Sequence, residues 1–257
     1  MISHPTATKP SILIRPLQLP DEFDACVALQ QSVWQFRELD AIPRRTFVVA
    51  RSIGGQVIGA FDGDQLVGYA MAMPGIRNGH AYLHSHMLAV QSEYRNRGIG
   101  SQLKWAQRDD ALARDIDLME WTFDPLGVEN ANLNIEKLGV VIRRYTHNFY
   151  GVSSSPLHGL LPTDRLHAEW WLRSARVERM RGRLPLEKCP ISVTINVTNV
   201  NRKDSNASKV DAASMQRKIR NEFGQVFSRN LTVLRFQVEP DGGGSYQLGH
   251  WDEMWKY

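Results

Sequence analysis

Apolar and polar positions alternate along the first 150 residues in a way that predicts mixed helices and strands. Residues 20–34, PDEFDACVALQQSVW, carry Pro and acids in the first turn and then apolar residues at steps of three and four. That spacing is typical of an amphipathic helix. Three strand-like segments follow later, separated by the turn sequences DGD and NGH. The predicted order up to residue 150 is βααβββαβαβ, an α/β (α+β mixed sheet) fold.

The remaining chain predicts a second, smaller unit. RLHAEWWLRS has the character of a strand, and the basic, proline-containing RMRGRLPLEKCP that follows is the predicted connector. We therefore expect a core at residues 11–178 and an α/β extension at residues 179–257, which is small for an independent domain and should pack on the core. Residues 1–10 are polar and predict a disordered leader.

Composition narrows the functional classes. The chain has 257 residues, 42% of them hydrophobic, which is enough for a substantial core. No segment has the pattern of a signal peptide or a membrane helix, so we expect a cytoplasmic protein without a membrane partner. The net charge is +4, but the basic residues are scattered, which argues against nucleic acid. The two cysteines, Cys26 and Cys189, have neither a disulfide nor a metal-binding pattern.

The most informative stretch is YRNRGIGSQL, residues 94–103, where a predicted strand meets a predicted helix. Unpaired amides at such a junction, with glycines that permit close approach, form an anion site. Arg95 and Arg97 add donors for phosphate oxygens. An ordinary tight turn with solvated charges remains the alternative. A dinucleotide-binding fold fits poorly, because the turn follows an antiparallel meander and lacks a third glycine.

VQSEYRNRGIGSQL resembles the acetyl-CoA-binding segment of the GNAT N-acyltransferase superfamily, whose signature is Arg/Gln-x-x-Gly-x-Gly/Ala. The stretch EKLGV, residues 136–140, is similar to the end of that family's fourth helix. Together the two matches cover roughly residues 11–150. The resemblance implies a GNAT-type central mixed β-sheet flanked by helices, in a branch of the superfamily with a C-terminal extension.

The resemblance also implies a donor and the residues that bind it. The donor is acetyl-CoA or another acyl-CoA, and no metal is expected. The strand before the turn would pair with the pantetheine arm, an amide there would polarise the thioester carbonyl, and the turn would hold the pyrophosphate. The expected donor-binding residues are Leu88, Ala89, Val90, Arg95, Asn96, Arg97, Gly98, Ile99, Gly100, Ser101, Asn130 and Asn132.

Acyl transfer to an amine also needs a proton acceptor. His84 stands at the position, eleven residues before Arg95, where several family members have a carboxylate, and His86 lies two residues further on. Glu120, in LMEWTF, is the next candidate base. Ordinary strand histidines are the alternative for the first two. The family's acidic Tyr is replaced by Ile135, so the general acid is not identified.

Three functions remain open from the sequence. The first is an acyl-CoA-dependent N-acyltransferase acting on a small-molecule amine, rather than a protein, without a covalent enzyme intermediate. The second is a GNAT-fold module that binds CoA as a sensor, which the missing Tyr keeps open. The third is a nucleotide-binding protein unrelated to acyl transfer. The extension is expected to shape the acceptor pocket or to form a contact in a homo-oligomer.

Overall fold

The alternating apolar segments form the strands of one mixed sheet. The computed structural model describes residues 12–35, 40–151, 161–198 and 206–251, with only the backbone described for 206–211. Within these residues the strands are β1 (Leu13–Pro16), β2 (Gln56–Asp62), β3 (Gln65–Arg77), β4 (His80–Val90), β5 (Leu118–Phe123), β6 (Val141–Thr146), β7 (Arg165–Trp171), β8 (Val193–Val197), β9 (Thr232–Val238) and β10 (Gly244–Gly249). Their order across the sheet is β1-β2-β3-β4-β5-β7-β6-β9-β10-β8.

Helices lie on both faces of this sheet, which confirms the predicted fold class. The described helices are α1 (Pro20–Trp34), α2 (Arg44–Ser52), α3 (Ile99–Ala113), α4 (Val128–Asn132), α5 (Ala175–Arg181) and α6 (Asn206–Ser228). A 3₁₀ turn, Ser92–Tyr94, precedes α3, and α4 continues into one π-helical turn, Leu133–Lys137. Gly139, with φ of +79°, follows that turn and ends the helical segment, as the sequence predicts.

Alternate residues of the strands face different helices. On β3, Tyr69 and Met71 pack with the apolar stripe of α1 and α2, whereas Ala70 packs with Leu103 of α3. Buried residues of α3, α4, α5 and α6 share one large cluster with Trp121 of β5 and Trp170 of β7. Helices α1 and α2 pack against β2, β3 and β4. They therefore lie over one half of the sheet, on the face opposite α3.

The sheet divides in its middle, between β4 and β5. β4 pairs with β3 over its whole length, but with β5 only at Leu83–Met119 and His84–Glu120. From residue 85 to residue 90, β4 has no strand partner on its β5 side in the described part of the chain. The two parallel strands therefore diverge after His84 and leave a fork. His86 is the extra residue of a bulge in β4 at the start of that fork.

The C-terminal strands extend the same sheet. β6 pairs with β9 only at Ile142–Val233, and β9, β10 and β8 then pair antiparallel. The Glu136 carboxylate accepts hydrogen bonds from Arg235 Nε and Nη2, at 3.0 and 3.1 Å, and from the amide of Phe236. Side chains as well as the single backbone pair therefore join the two regions.

One element differs from the sequence-based prediction. Helix α5 begins directly after the predicted strand RLHAEWWLRS, spans the predicted boundary at residue 178 and includes the first three residues of the predicted connector. Ser174 caps this helix, because its Oγ accepts a hydrogen bond from the amide of Val177 at 3.2 Å. The division into core and extension stays a prediction, and the predicted leader, residues 1–10, lies outside the described residues.

Candidate active site

The turn between β4 and α3 presents a row of unpaired backbone amides. Gly98 is the N-cap of α3 with φ of +79°, and Asn96 has φ of +60°. The amides of residues 97–101 donate no hydrogen bond within the described part of the chain. The dipole of the fifteen-residue helix adds partial positive charge at this end. The turn therefore has the donors that a pyrophosphate requires.

The two glycines of the turn differ in what they contribute. A β-carbon at Gly98 would meet no heavy atom within 4 Å beyond its chain neighbours, so the positive φ, not crowding, requires glycine there. At Gly100 the nearest atom would be Leu88 Cδ2, at 3.8 Å. Ile99 between them is buried under the sheet and anchors the first turn of α3, while Ser101 is half-buried. The backbone is thus held in place with its outer side open.

Side chains around the turn fix its shape. Arg95 Nε donates to the Val90 carbonyl at 3.3 Å, so this arginine closes the turn onto β4. Arg97 is exposed, and its guanidinium lies 4.9 Å from the centre of the Tyr94 ring. The Tyr94 hydroxyl donates to Asp62 at 2.7 Å. Arg97 is therefore an exposed cation of the turn, held near the Tyr94 ring.

The fork leads from this turn into the sheet. Leu88 and Val90 pack against α3, whereas Ala89 faces the α1 and α2 cluster. On the β5 side no strand pairs with these residues, because β5 has diverged, so an extended ligand can pair with the backbone there; the Val90 carbonyl is the group that already accepts a bond from Arg95. Asn130 is exposed on α4 and Asn132 is half-buried, and in the described structure neither makes a hydrogen bond to the turn.

Glu120 lies where the fork closes, on the face opposite α3. Its side chain forms an ion pair with Arg77, and Arg144 Nη2 lies 3.8 Å from the same oxygen, Oε2. The other oxygen, Oε1, is buried and has no hydrogen-bond partner among the described residues. Burial raises the pKa of Glu120 above its usual range, and Arg77 and Arg144 oppose this only in part. Glu120 thus has one oxygen available to accept a proton or a hydrogen bond.

The two predicted histidines flank this carboxylate. His84 is the register partner of Glu120, and its ring centre lies 6.1 Å from that of His86. Burial lowers the pKa of His84 to about 4, and the charges of His86, Lys104 and Arg144 act in the same direction. Burial also lowers the pKa of His86. Both imidazoles are therefore neutral near pH 7, and His84 is a weak base.

A third histidine, which the sequence analysis did not identify, completes this face. His167 Nδ1 lies 3.0 Å from Arg144 Nη2, and because arginine only donates, Nδ1 is the acceptor. Its Nε2–H then donates to Thr146 Oγ1 at 2.8 Å. Burial lowers the pKa of His167 to about 3, helped by Arg144, His84 and Arg77. His167 comes from β7, and only the strand order of the sheet, with β7 next to β5, shows that it lies near Glu120.

Two tyrosines that follow the fourth helix, Tyr145 and Tyr150, are candidates to replace the missing acid, and of these two only Tyr150 reaches this cleft. The Tyr150 hydroxyl lies 3.1 Å from Thr122 Oγ1, and its ring centre lies 6.4 Å from that of His86. Tyr145 instead donates to Asp164 at 2.5 Å and stacks on α6. Ile135 is fully buried in the core, so its position supplies no acid. Trp170 and Trp171 are buried, in keeping with a packing role.

Lys104 is the second feature that the sequence analysis missed. It is 2% exposed, and its Nζ donates to Ser85 Oγ at 2.7 Å and lies 3.5 Å from the centre of the Trp121 ring. Ser85 and Trp121 are the first residues of β4 and β5 beyond their last pair. Lys104 therefore bridges the two strands where the fork opens. Burial lowers the pKa of its ammonium well below the usual range.

The described part of the chain offers neither a candidate metal site nor a helix suited to a membrane. No three His, Cys, Asp or Glu side chains there come together as a metal-binding group. None of the helices in that part is long and apolar enough to cross a membrane. Cys26 is buried and Cys189 half-buried, and both are free thiols.

Comparisons with known proteins identify the first part of the chain. The model of the Acetyltransferase (GNAT) family matches residues 18–139, which include both the turn and the fork. These residues form a GNAT acetyltransferase domain. A sequence search of curated proteins finds no significant match.

Solved structures share the fold of this GNAT domain. A GNAT-family acetyltransferase from Desulfovibrio desulfuricans is 15% identical, covers 63% of this chain and 99% of its own, with a TM-score of 0.53. A GNAT acetyltransferase from Streptococcus pneumoniae is 18% identical over 62% of this chain and 98% of its own, with a TM-score of 0.50. Naa50 from Arabidopsis thaliana, solved with the bisubstrate analogue CoA-Ac-MVNAL, is 16% identical over 62% and 97%, with a TM-score of 0.50. At these identities the likeness shows the GNAT fold alone.

Proposed function

We propose that this protein transfers the acyl group of acetyl-CoA, or of another acyl-CoA, directly to the amine of a small-molecule acceptor. The observation that carries this is the fork, whose open β4 edge runs to the unpaired amides of residues 97–101. The pyrophosphate would bind those amides with Arg97, and the pantetheine arm would pair with the backbone of Leu88 and Val90. A linear anionic ligand fits this combination of strand edge and helix N-terminus.

We assign Glu120 as the proton acceptor for the attacking amine. A general base works best when its pKa lies near the working pH, and burial moves Glu120 in that direction. Its free Oε1 can accept the amine proton as the C–N bond forms and the C–S bond breaks. His84, with a pKa of about 4, is the weaker base and is better suited to accept a hydrogen bond from the acceptor.

One observation favours the second candidate, a CoA-binding sensor. Ile135 occupies the position of the expected acid and is fully buried, so the departing thiolate receives no proton from that side chain. A thiol has a pKa of about 8.5, however, and its thiolate is a tolerable leaving group without an acid. We therefore propose the transferase as the first candidate. A measurement of turnover separates it from the sensor.

The first experiment separates the three functional classes. Thermal stability is measured with CoA, acetyl-CoA and ATP, and release of CoA thiol is followed over a panel of amines. Stabilisation by both CoA species together with thiol release supports the transferase. Stabilisation without turnover on any amine supports the sensor, and stabilisation by ATP alone refutes both GNAT functions.

The second experiment tests the base. Glu120→Gln keeps the size of the side chain and removes the proton acceptor, so we expect turnover to fall by about 10²–10⁴-fold with CoA affinity unchanged. Glu129→Gln, at an exposed carboxylate on α4, is the matched control and should retain full turnover. Unchanged turnover in Glu120→Gln would exclude this carboxylate as the base.

A further inference from the structure

A cationic groove lies between β6 and α6, and Arg144, which is near Glu120, belongs to its lining. It encloses about 370 Å³, and its polar lining includes Arg143, Arg144, His147 and Arg220. We call it the arginine groove. β6 pairs with β9 only at Ile142, so the strand edge from residue 143 onward faces the groove without a strand partner in the described structure. The groove thus lies along this unpaired edge of β6, with residues of α6 on its other side.

The carboxylates that balance these cations lie behind them. Asp164 pairs with Arg220 and His147, and Glu169 pairs with Arg143. Glu120 lies near Arg144. None of these three carboxylates lines the groove. The three acidic side chains are at most 6% exposed, whereas the four basic ones are between 28% and 52% exposed. A guanidinium has five N–H donors, so each arginine keeps donors for a ligand on its outer side.

Arg144 connects the groove to the proposed base. Its Nη2 lies 3.8 Å from Glu120 Oε2, too far for a hydrogen bond, and its contact at 3.0 Å is with the neutral ring of His167. Its charge is therefore incompletely neutralised. Arg144 also lies close enough to His84 and His167 to lower the pKa of each imidazole, although burial is the larger cause in both. Around Glu120, Glu169 and Asp164 four arginines face three carboxylates.

We propose that the acceptor amine carries an anionic group, a carboxylate or a phosphate, that Arg144 and the arginine groove bind while the amine points to Glu120. Arg144 contacts both places, so the anionic group and the amine belong to one small molecule. This inference rests on the proposed transferase function and specifies its acceptor. It predicts that the groove discriminates between amines by charge rather than by shape.

The test uses pairs of amines that differ in the anionic group alone. Phenylalanine is compared with phenethylamine, and phosphoethanolamine with ethanolamine, by thiol release from acetyl-CoA. We expect at least one anionic member to have a kcat/KM about 10–100-fold above that of its neutral partner, the effect of one or two charge-assisted hydrogen bonds. The two pairs distinguish a carboxylate from a phosphate. Preference for the neutral member in both pairs overturns the proposal, whereas the transferase function would stand.

Variants show whether Arg144 is the source of the preference. Arg144→Gln should bring the ratio of kcat/KM within a pair close to one, mainly through KM, and Arg144→Lys should restore part of it. Arg173→Gln is the matched control, since Arg173 is similarly exposed and pairs with Asp115 and Asp117 outside the site. An unchanged ratio in Arg144→Gln contradicts the proposal.

A binding measurement keeps the inference testable without turnover. Calorimetric titration of inorganic phosphate and of acetate is carried out with saturating CoA, which occupies the turn of residues 97–101. Binding of either anion should weaken about tenfold or more in Arg144→Gln and persist in Arg173→Gln. No binding to the wild-type protein, or equal binding in both variants, refutes the anion site even if no amine is acylated.

Discussion

Removal of the Asp164 carboxylate should destabilise the whole protein, because this side chain joins the core to α6. It is fully buried and accepts hydrogen bonds from the Tyr145 hydroxyl at 2.5 Å, His147 Nδ1 at 2.7 Å, Arg220 Nε at 2.9 Å and the amide of Asn148 at 3.0 Å. Asp164→Asn keeps the shape but turns an amide NH₂ towards donors and leaves Arg220 without its counter-charge.

The size of the effect follows from these contacts. Removing one partner of a buried ion pair costs about 3–5 kcal/mol. Arg220 is 28% exposed and can be rehydrated, so we expect the lower end, about 3 kcal/mol. Urea unfolding, followed by tryptophan fluorescence and far-UV circular dichroism, measures the change in the free energy of unfolding.

The control and the pH dependence make this prediction specific. Asp24→Asn, at an exposed carboxylate paired with Arg44, should cost less than about 0.5 kcal/mol. Burial opposes ionisation of Asp164, but the hydrogen bonds from Tyr145 and Arg220 outweigh it and lower its pKa. Its contribution is then fully present above the unfolded pKa of about 3.9 and is lost as the pH falls through the folded pKa. A loss below about 1 kcal/mol at pH 7, or a difference between variant and wild type that does not shrink in acid, would refute the reasoning.

Three further predictions concern the turn, the fork and the C-terminal strands. Gly98→Ala should cost about 1 kcal/mol in urea unfolding, because φ is +79°, and should also weaken CoA binding in calorimetry. Gly63→Ala, at φ of +59° in an equally uncrowded turn, should cost a similar amount and leave CoA affinity unchanged, so equal losses of affinity would exclude the turn as a CoA site. Lys104→Met should raise the Tm at pH 7, since it removes a buried charge. The pKa of Lys104 in the folded protein is depressed, so the wild type gains stability as the pH rises towards the unfolded pKa of about 10.4. The Tm advantage of Lys104→Met over the wild type should therefore shrink over that range. A Tm difference that stays constant would argue against a depressed pKa. Glu136→Gln should lower the free energy of unfolding by about 1–3 kcal/mol, through loss of the two-pronged bond to Arg235, and a neutral result would show that the C-terminal strands are held by other contacts.

The sequence predicted the elements whose signals are local. Acidic residues after a proline and an apolar stripe indicate α1 at its observed position, and glycine at the end of an apolar run indicates the start of α3. Helix α5 was missed because it is only seven residues long and depends on tertiary contacts, such as the bonds from Arg176 to the carbonyls of Gly139 and Leu234.

The candidate site was only partly predictable, because it too depends on contacts between residues far apart in sequence. Glu120 and the two strand histidines were indicated by position, but the arginines around Glu120 come from the end of β3 and from β6, far away in sequence. Only the strand order brings them together. The divergence of β4 from β5 is likewise a property of how two strands pair, which no periodicity records. Lys104 did leave a signal, because it belongs to the buried side of α3. The buried residues of this helix are Ile99, Leu103, Lys104, Gln107, Arg108 and Ala111, and three polar residues among six buried ones are unusual.

The fork also affects how the protein avoids self-association. An unpaired strand edge on the outside of a sheet invites pairing with another molecule and aggregation. The open edge of β4 instead faces β5, and these two strands meet at His84 and Glu120. A full strand inserted between them would require β4 and β5 to be separated by about twice the usual interstrand spacing of about 4.8 Å along its whole length. A polypeptide strand from a neighbouring molecule does not fit into the narrow end of the fork, whereas a thinner ligand such as a pantetheine arm does. The protein can thus keep a stretch of β4 with unpaired backbone hydrogen-bonding groups without polymerising through this edge.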